Sequence, residues 1–181
     1  TLAITYHGDM DLSIIDELPS NRIPVRTKIV DSVRLKKVYS FIKDEIRSGR
    51  QCIIVYPLIE ESEKSDLKAA VEAYDKLAEK EFKKFKVGLV HGKMHSLDKD
   101  NIISKFGQNK INILVSTTVV EVGLDIPNAS VMLIEHAERF GLTQLHQLRG
   151  RVGRGADKSY CVLVKRNITE NSKNRLDIME K

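Results

Sequence analysis

Short, unbroken runs of apolar and mostly β-branched residues recur along this chain, and stretches of helical periodicity separate them. Cys52-Ile53-Ile54-Val55-Tyr56 stops at Pro57; Ile111 to Val115, Val131 to Ile134 and Tyr160 to Val164 repeat the pattern, and Val87 to Val90 is a shorter instance. A strand that is apolar at successive positions is buried on both faces, and such strands belong to parallel sheets covered by helices on either side. Between them, Val38, Phe41, Ile42 and Ile46 keep helical spacing from Ser32, a candidate N-cap, to Gly49, a stop signal. After a polar loop expected from Glu60 to Asp66, a longer amphipathic helix carries Leu67, Ala70, Val71, Tyr74, Leu77, Ala78, Phe82 and Phe85 on one face. Ile102, Ile103 and Phe106 fit a helix that Ser96 can cap and Gly107 ends; Leu142 to Leu148 suits a short helix and Thr169 onward a closing one. The expected class is α/β, a mainly parallel central sheet with helices on both faces.

Length and charge narrow the class without deciding function. A chain of 181 residues is one domain with an appendage. The first 30 residues fit the strand–helix rhythm least, and Pro19 and Pro24 favour extended chain there, so they are assigned to a connector. The domain proper is expected over 31–166, and 167–181 begins a C-terminal helical extension. The chain opens at Thr1 rather than Met, which points to a piece of a longer protein. The excess of Lys+Arg over Asp+Glu is +5, enough to permit a nucleic-acid partner and too small to demand one. Two cysteines, both inside expected strands, exclude a disulfide scaffold and read as small core residues. No apolar run approaches the ~18 residues that cross a bilayer, and the expected setting is the cytoplasm, with no membrane partner. His91 and His95 are four apart but straddle a turn without a Glu or Cys partner, so no metal site is expected.

In open parallel sheets, ligands collect at the carboxyl ends of strands, which directs attention to the loops after Val55, Val90, Val115 and Ile134. The strongest chemical signal lies elsewhere, in Gln147-Leu148-Arg149-Gly150-Arg151-Val152-Gly153-Arg154-Gly155. Glycines allow close approach of backbone to a ligand, and guanidinium forks match phosphate oxygens two at a time. Arg151 and Arg154 stand three apart, a spacing that on an intact helical turn aims both at one target. The plain alternative, a basic flexible connector beyond a helix end, leaves that spacing and Gln147 unexplained.

Gln147-x-x-Gly150-Arg151-x-Gly153-Arg154 resembles the sixth motif of superfamily 2 helicases, which lies in the second of their two RecA-like motor domains. Ser116 to Pro127, with Thr117, Thr118, Gly123 and Asp125, resembles their fifth motif; Val90-His91-Gly92 and the strand Cys52 to Tyr56 resemble the fourth group. The motifs fall in the family's order over most of the chain. Within the superfamily, Glu135-x-x-Glu138-Arg139-Phe140-Gly141-Leu142 running into Gln147 is similar to two bacterial groups of DNA translocases. These are the RecG branch-migration helicases and the transcription-repair coupling factors. Leu58-Ile59-Glu60-Glu61-Ser62-Glu63 and Asp16-Glu17-Leu18-Pro19-x-x-Arg22-x-Pro24-Val25 lean towards the RecG group.

The resemblance implies a division of labour. The first motor domain of such proteins supplies the Walker A loop and the acidic Mg²⁺-binding box; neither G-x-x-x-x-G-K-[ST] nor D-E-x-H/Q occurs in this sequence. It implies a RecA-like fold of the P-loop-NTPase type without its own Walker A, working against ATP and Mg²⁺ held by the other domain. Arg151 and Arg154 would reach the γ-phosphate, Gln147 would support the phosphate or its water, and Gly123 and Asp125 would meet the nucleotide, Asp125 at the ribose. His91, Gly92, Thr117 and Thr118 would contact the DNA backbone without reading its sequence. The implied activity is ATP-driven remodelling of branched or double-stranded DNA, such as forks and Holliday junctions, in bacterial recombination and repair, by a monomer whose isolated fragment is inactive. On the residues alone, Thr117 and Thr118 read equally as turn caps and His91 as a strand-end residue. A basic α/β module that only binds nucleic acid competes with the motor, although an acid at Asp125 is counterproductive in a pure phosphate strip. A small nucleotide-binding enzyme ranks last, lacking G-x-G-x-x-G after its first strand.

Overall fold

A computed structural model describes residues 23–57, 63–117, 126–153, 155, 158–166 and 169–180. Thr118, Gly123, Asp125 and Arg154, together with 1–22 and 58–62, lie outside these described residues.

The apolar runs become strands: β2 (Gln51–Tyr56), β3 (Val87–Val90), β4 (Ile113–Thr117), β5 (Ala129–Ile134) and β6 (Tyr160–Lys165). Another strand, β1 (Arg26–Asp31), comes from the stretch expected to be connector. Among the described residues the sheet order is β1-β6-β5-β2-β4-β3, and every pairing is parallel. The strands β4 and β5 are buried at every position, which is why they read as continuous apolar runs. β1 is an edge strand that alternates between exposed and half-buried residues over most of its length, so its sequence, Arg-Thr-Lys-Ile-Val-Asp, carries no such run.

The helices divide between two cores, one on each face. On one face α1 (Leu35–Arg47) contributes Val38, Tyr39, Ile42 and Ile46. α2 (Glu63–Lys76) adds its extension Leu77 and, beyond it, Phe82, whose ring meets Tyr39 edge-on with centroids 5.3 Å apart. On the other face lie Phe106 of α3 (Ser96–Gly107), Leu145 and Leu148 of α4 (Leu142–Arg149), and Leu176 and Met179 of α5 (Glu170–Glu180). Cys52 and Cys161 are fully buried, one in each core, and burial pushes the Cys161 thiol up to about 12.

Element ends differ from expectation in ways with local causes. Ser32 does not cap α1: the chain leaves β1 through a tight 3-10 turn, Ser32–Arg34, and α1 begins only at Leu35. α2 starts at Glu63, inside the expected polar loop. Its last turn, Leu77–Glu81, widens so that Phe82 N–H donates to the Leu77 carbonyl at 2.7 Å, and this brings Phe82 into the core. Gly49 closes α1 as expected, at φ 87°, whereas after α3 it is Asn109, not Gly107, that turns left-handed at φ 57°.

Candidate functional site

Because α4 runs back against the strand direction, the arginine-rich loop that follows it lies at the amino ends of the strands. Three contacts fix it there. A Cβ on Gly153 would fall 2.6 Å from Val25 Cγ2 and 3.5 Å from Ser159 Cβ, and one on Gly155 would fall 2.7 Å from the Pro127 carbonyl oxygen. Val25 and Ser159 immediately precede β1 and β6, and Pro127 lies two residues before β5. The carboxyl-end rule therefore does not locate this loop. Gly153 and Gly155 are small where the loop closes on its own domain.

The helical-turn reading of the arginine spacing fails as well. α4 ends at Arg149, Val152 is fully buried, and Gly153 is left-handed at φ 77°, so the chain from Arg151 to Gly153 is not an intact helical turn; Arg154 lies outside the described residues. Arg149 faces the opposite way from a ligand role: its Nη1 donates to the Met179 carbonyl at 3.4 Å and its Nη2 lies 3.2 Å from His146 Nδ1, tying α4 to α5. Gln147 is exposed on the last turn of α4, and Arg151 is half-buried in the turn beyond it. Beneath this pole Gln51, buried at the start of β2, donates through Nε2 to the carbonyls of Phe106 (2.6 Å) and Ile111 (2.7 Å).

The second set of candidates gathers at the opposite pole. β3 and β4 pair with Val90 beside Ser116, so the following residues, His91 and Thr117, end neighbouring strands together. Gly92 is exposed, and its carbonyl accepts from Lys99 Nζ at 2.9 Å, which gives Lys99 a structural partner. Burial, with Lys99 and Lys93 nearby, lowers the His91 pKa and so favours the neutral ring. Its Nδ1 is buried without a partner among the described residues, as is the Thr117 hydroxyl; Thr117 is wholly enclosed.

Residues with no expected role complete this pole. Glu135, immediately after β5, is 1% exposed, and Arg166 after β6 reaches its Oε2 at 3.2 Å. His136 adopts a left-handed turn (φ 51°) with Nδ1 3.4 Å from Glu138 Oε1, and a cavity of about 560 Å³ opens beside Tyr56, Glu135, His136 and Arg166. The available signal was a pair of polar residues, Glu135 and His136, directly after an entirely apolar strand. Burial raises the Glu135 carboxyl above its ordinary range and the Arg166 guanidinium pulls it part of the way back. A raised carboxyl favours the folded state below the ordinary carboxylate range and loses that advantage as pH climbs through the raised value. Arg166→Leu should thus unfold with the parent near pH 4 and fall progressively below it towards pH 8. We expect a gap of about 1–3 kcal/mol in denaturant melts at pH 8, less than the ~3–5 for a fully buried pair because the Arg166 side chain is 40% exposed. A pH-independent gap would rule out this pairing as its cause.

A parallel sheet with a helix-terminated arginine loop at one pole and a polar strand-end cluster at the other is the arrangement of a helicase motor lobe. The chain belongs to the helicase conserved C-terminal domain family, whose profile matches residues 33–156. Its sequence is similar to proteins named ATP-dependent DNA helicase RecG. The identity is 51% over 180 residues to that of Synechocystis sp., covering 99% of this chain and 22% of that protein, and 49% over 179 residues to that of Bacillus subtilis, covering 99% and 26%. The solved structure of RecG bound to a three-way DNA junction superposes with a TM-score of 0.83 at 45% identity, over 99% of this chain and 23% of that one. The leaning towards the RecG group over the coupling factors agrees with these likenesses. Domain 2 of the DEAD-box helicase Mss116p, solved on an RNA duplex, shares the RecA-like fold at TM-score 0.65 and 20% identity, over 86% of this chain and 60% of that one. The chain thus spans about a quarter of the length of the curated relatives it matches. Among the described residues, no helix is long and apolar enough to cross a membrane.

Proposed function

We propose that this chain is the second motor domain of an ATP-dependent DNA helicase that remodels branched DNA, and that it completes an ATP site whose phosphate cradle and Mg²⁺ ligands belong to a first RecA-like domain of the same polypeptide. The observation that carries this reading is the contact of Gly155 with the Pro127 carbonyl. It brings together the flanks of two separate motifs, Gly123 to Asp125 just before Pro127 and Arg151 to Arg154 just before Gly155. Arginines and an acid on the two segments that flank this contact suit a nucleotide, whose phosphates take the guanidinium forks and whose ribose hydroxyls donate to a carboxylate. The sequence holds no phosphate-cradling G-x-x-x-x-G-K-[ST], so these residues fit ATP from one side only.

ATP with Mg²⁺ supplies the phosphoryl group and the metal that neutralises its developing charge. On the side of this chain, Arg154 and Arg151 set positive charge at the γ-phosphate, Gln147 orders the phosphate or its water, Gly123 lets the backbone approach, and Asp125 accepts from the ribose. At the other pole His91, Gly92 and Thr118 contact the sugar–phosphate backbone; Thr117, expected to join them, is enclosed at 0% exposure and does not reach it. The protein works as a monomer on branched or double-stranded DNA in the bacterial cytoplasm. The isolated chain, purified and folded, should show no ATP turnover with or without forked DNA, whereas the full-length protein should show DNA-stimulated turnover. Stimulated turnover by the isolated chain would overturn the division of labour.

A further inference from the structure

A groove of about 810 Å³ runs along the β1 edge of the sheet, beside α1 and the end of α5; Val25 and Arg149 line it towards the arginine loop, whereas β3 and β4, which lead to His91 and Thr117, lie on the far side of the sheet order. Its rim carries Arg26 and Lys28 on one face of β1 and Arg34 and Lys37, three apart, at the start of α1. All four side chains are exposed, and none has an ion pair or hydrogen bond among the described residues. The acids nearby are otherwise engaged: Asp31 pairs with Lys165 at 3.4 Å, and Glu180 Oε1 accepts the Ile29 N–H at 3.2 Å. Along the floor, Phe41 and Tyr160 form an edge-on aromatic corner with centroids 5.0 Å apart.

Unpaired cations above half-buried aromatic rings are how proteins hold single strands, the cations following the phosphates and the rings stacking bases. Two features select this occupant. A peptide adding to the sheet edge would need the β1 amides, and Glu180 already holds that of Ile29 in the middle of the strand. A duplex hides its bases from the aromatic floor, whereas a single strand presents them. We propose that this groove binds a single strand of DNA, with phosphates on Arg26, Lys28, Arg34 and Lys37 and a base against the Phe41–Tyr160 corner. This rests on the DNA-helicase reading and adds to it a path for an unpaired strand, separate from the contacts at His91 and Gly92.

The test uses the full-length protein and an end-labelled oligothymidylate, followed by fluorescence anisotropy over a range of salt. Replacing Arg26, Lys28, Arg34 and Lys37 together by Ala should weaken single-strand binding about tenfold or more at low salt and flatten the log–log salt slope by about 3, the share of four phosphates. Duplex-stimulated ATP turnover should stay at the parent level. Tyr160→Leu should weaken binding to the oligonucleotide about tenfold and leave binding to an abasic strand unchanged. An unchanged salt slope in the quadruple variant overturns the proposal, as does equal weakening on the abasic strand, which would mark Tyr160 as merely structural. So does a polyglutamate peptide whose binding is lost in the quadruple variant while oligothymidylate binding persists, since the groove would then serve an acidic protein. Failure of the helicase reading is distinguishable: it appears as absent DNA-stimulated turnover in the parent protein, whatever the oligonucleotide does.

Discussion

In the full-length protein, Arg154→Ala should lower kcat for ATP hydrolysis by about 10³–10⁵, the range for removing an arginine finger, while nucleotide binding survives largely intact. The loss corresponds to ~4–7 kcal/mol of barrier. The asymmetry follows from where the charge is needed. A guanidinium that meets the γ-phosphate as negative charge redistributes stabilises the transition state more than the bound substrate, so turnover falls and affinity changes little. Arg154→Lys should recover little of the rate, because an ammonium cannot reproduce the planar fork. Single-turnover hydrolysis together with equilibrium binding of a fluorescent nucleotide separates the two quantities. Loss of binding with near-parental turnover at saturation would remove Arg154 from the finger role.

The second large effect comes from a residue with no chemistry of its own. Gly155→Ala should destabilise the fold by about 1–3 kcal/mol, the usual cost of forcing an extra carbon into packed surroundings. It should also slow ATP hydrolysis at least about tenfold, because misplacing a catalytic group by about 1 Å can cost ~10² in rate. The added methyl would sit 2.7 Å from the Pro127 carbonyl oxygen, a main-chain atom with no rotamer to give. Gly150→Ala provides the contrast: its nearest neighbours, the carbonyls of Gln147 and His146, would be 3.4 Å away, and it should cost far less. Thermal melts and turnover measured on both variants check the pair. Parental turnover in Gly155→Ala would show that the approach of the arginine loop to Pro127 is dispensable.

The central strands were legible because burial on both faces leaves an unbroken apolar record, as in Ile54, Val115 and Leu133. β1 was not, because an edge strand needs only partial cover, and its alternating Arg, Lys and Asp look like connector until Tyr160 to Lys165 is known to lie beside it. The arginine loop stands out by its residue types, but its position could not be read from them. Nothing local reveals that α4 carries the chain to the amino ends of the strands, or that Gly153 and Gly155 are small for the sake of Val25 and Pro127. Glu135 and Arg166 are far apart in sequence and joined only by the pairing of β5 with β6, so neither residue alone signals a buried ion pair.

The two poles stand at opposite ends of strands packed on both faces, and a body built that way behaves as a stiff lever. Strands of four to six residues at ~3.3 Å each put roughly 13–20 Å between one end of the sheet and the other. A close-packed interior passes a push along with little internal give. Pivoted at the arginine end, a tilt of roughly 10° would carry the far end of such a lever about 3 Å, comparable to the ~3.4 Å rise of one base pair. Nothing in the core need rearrange for the far end to move by that distance.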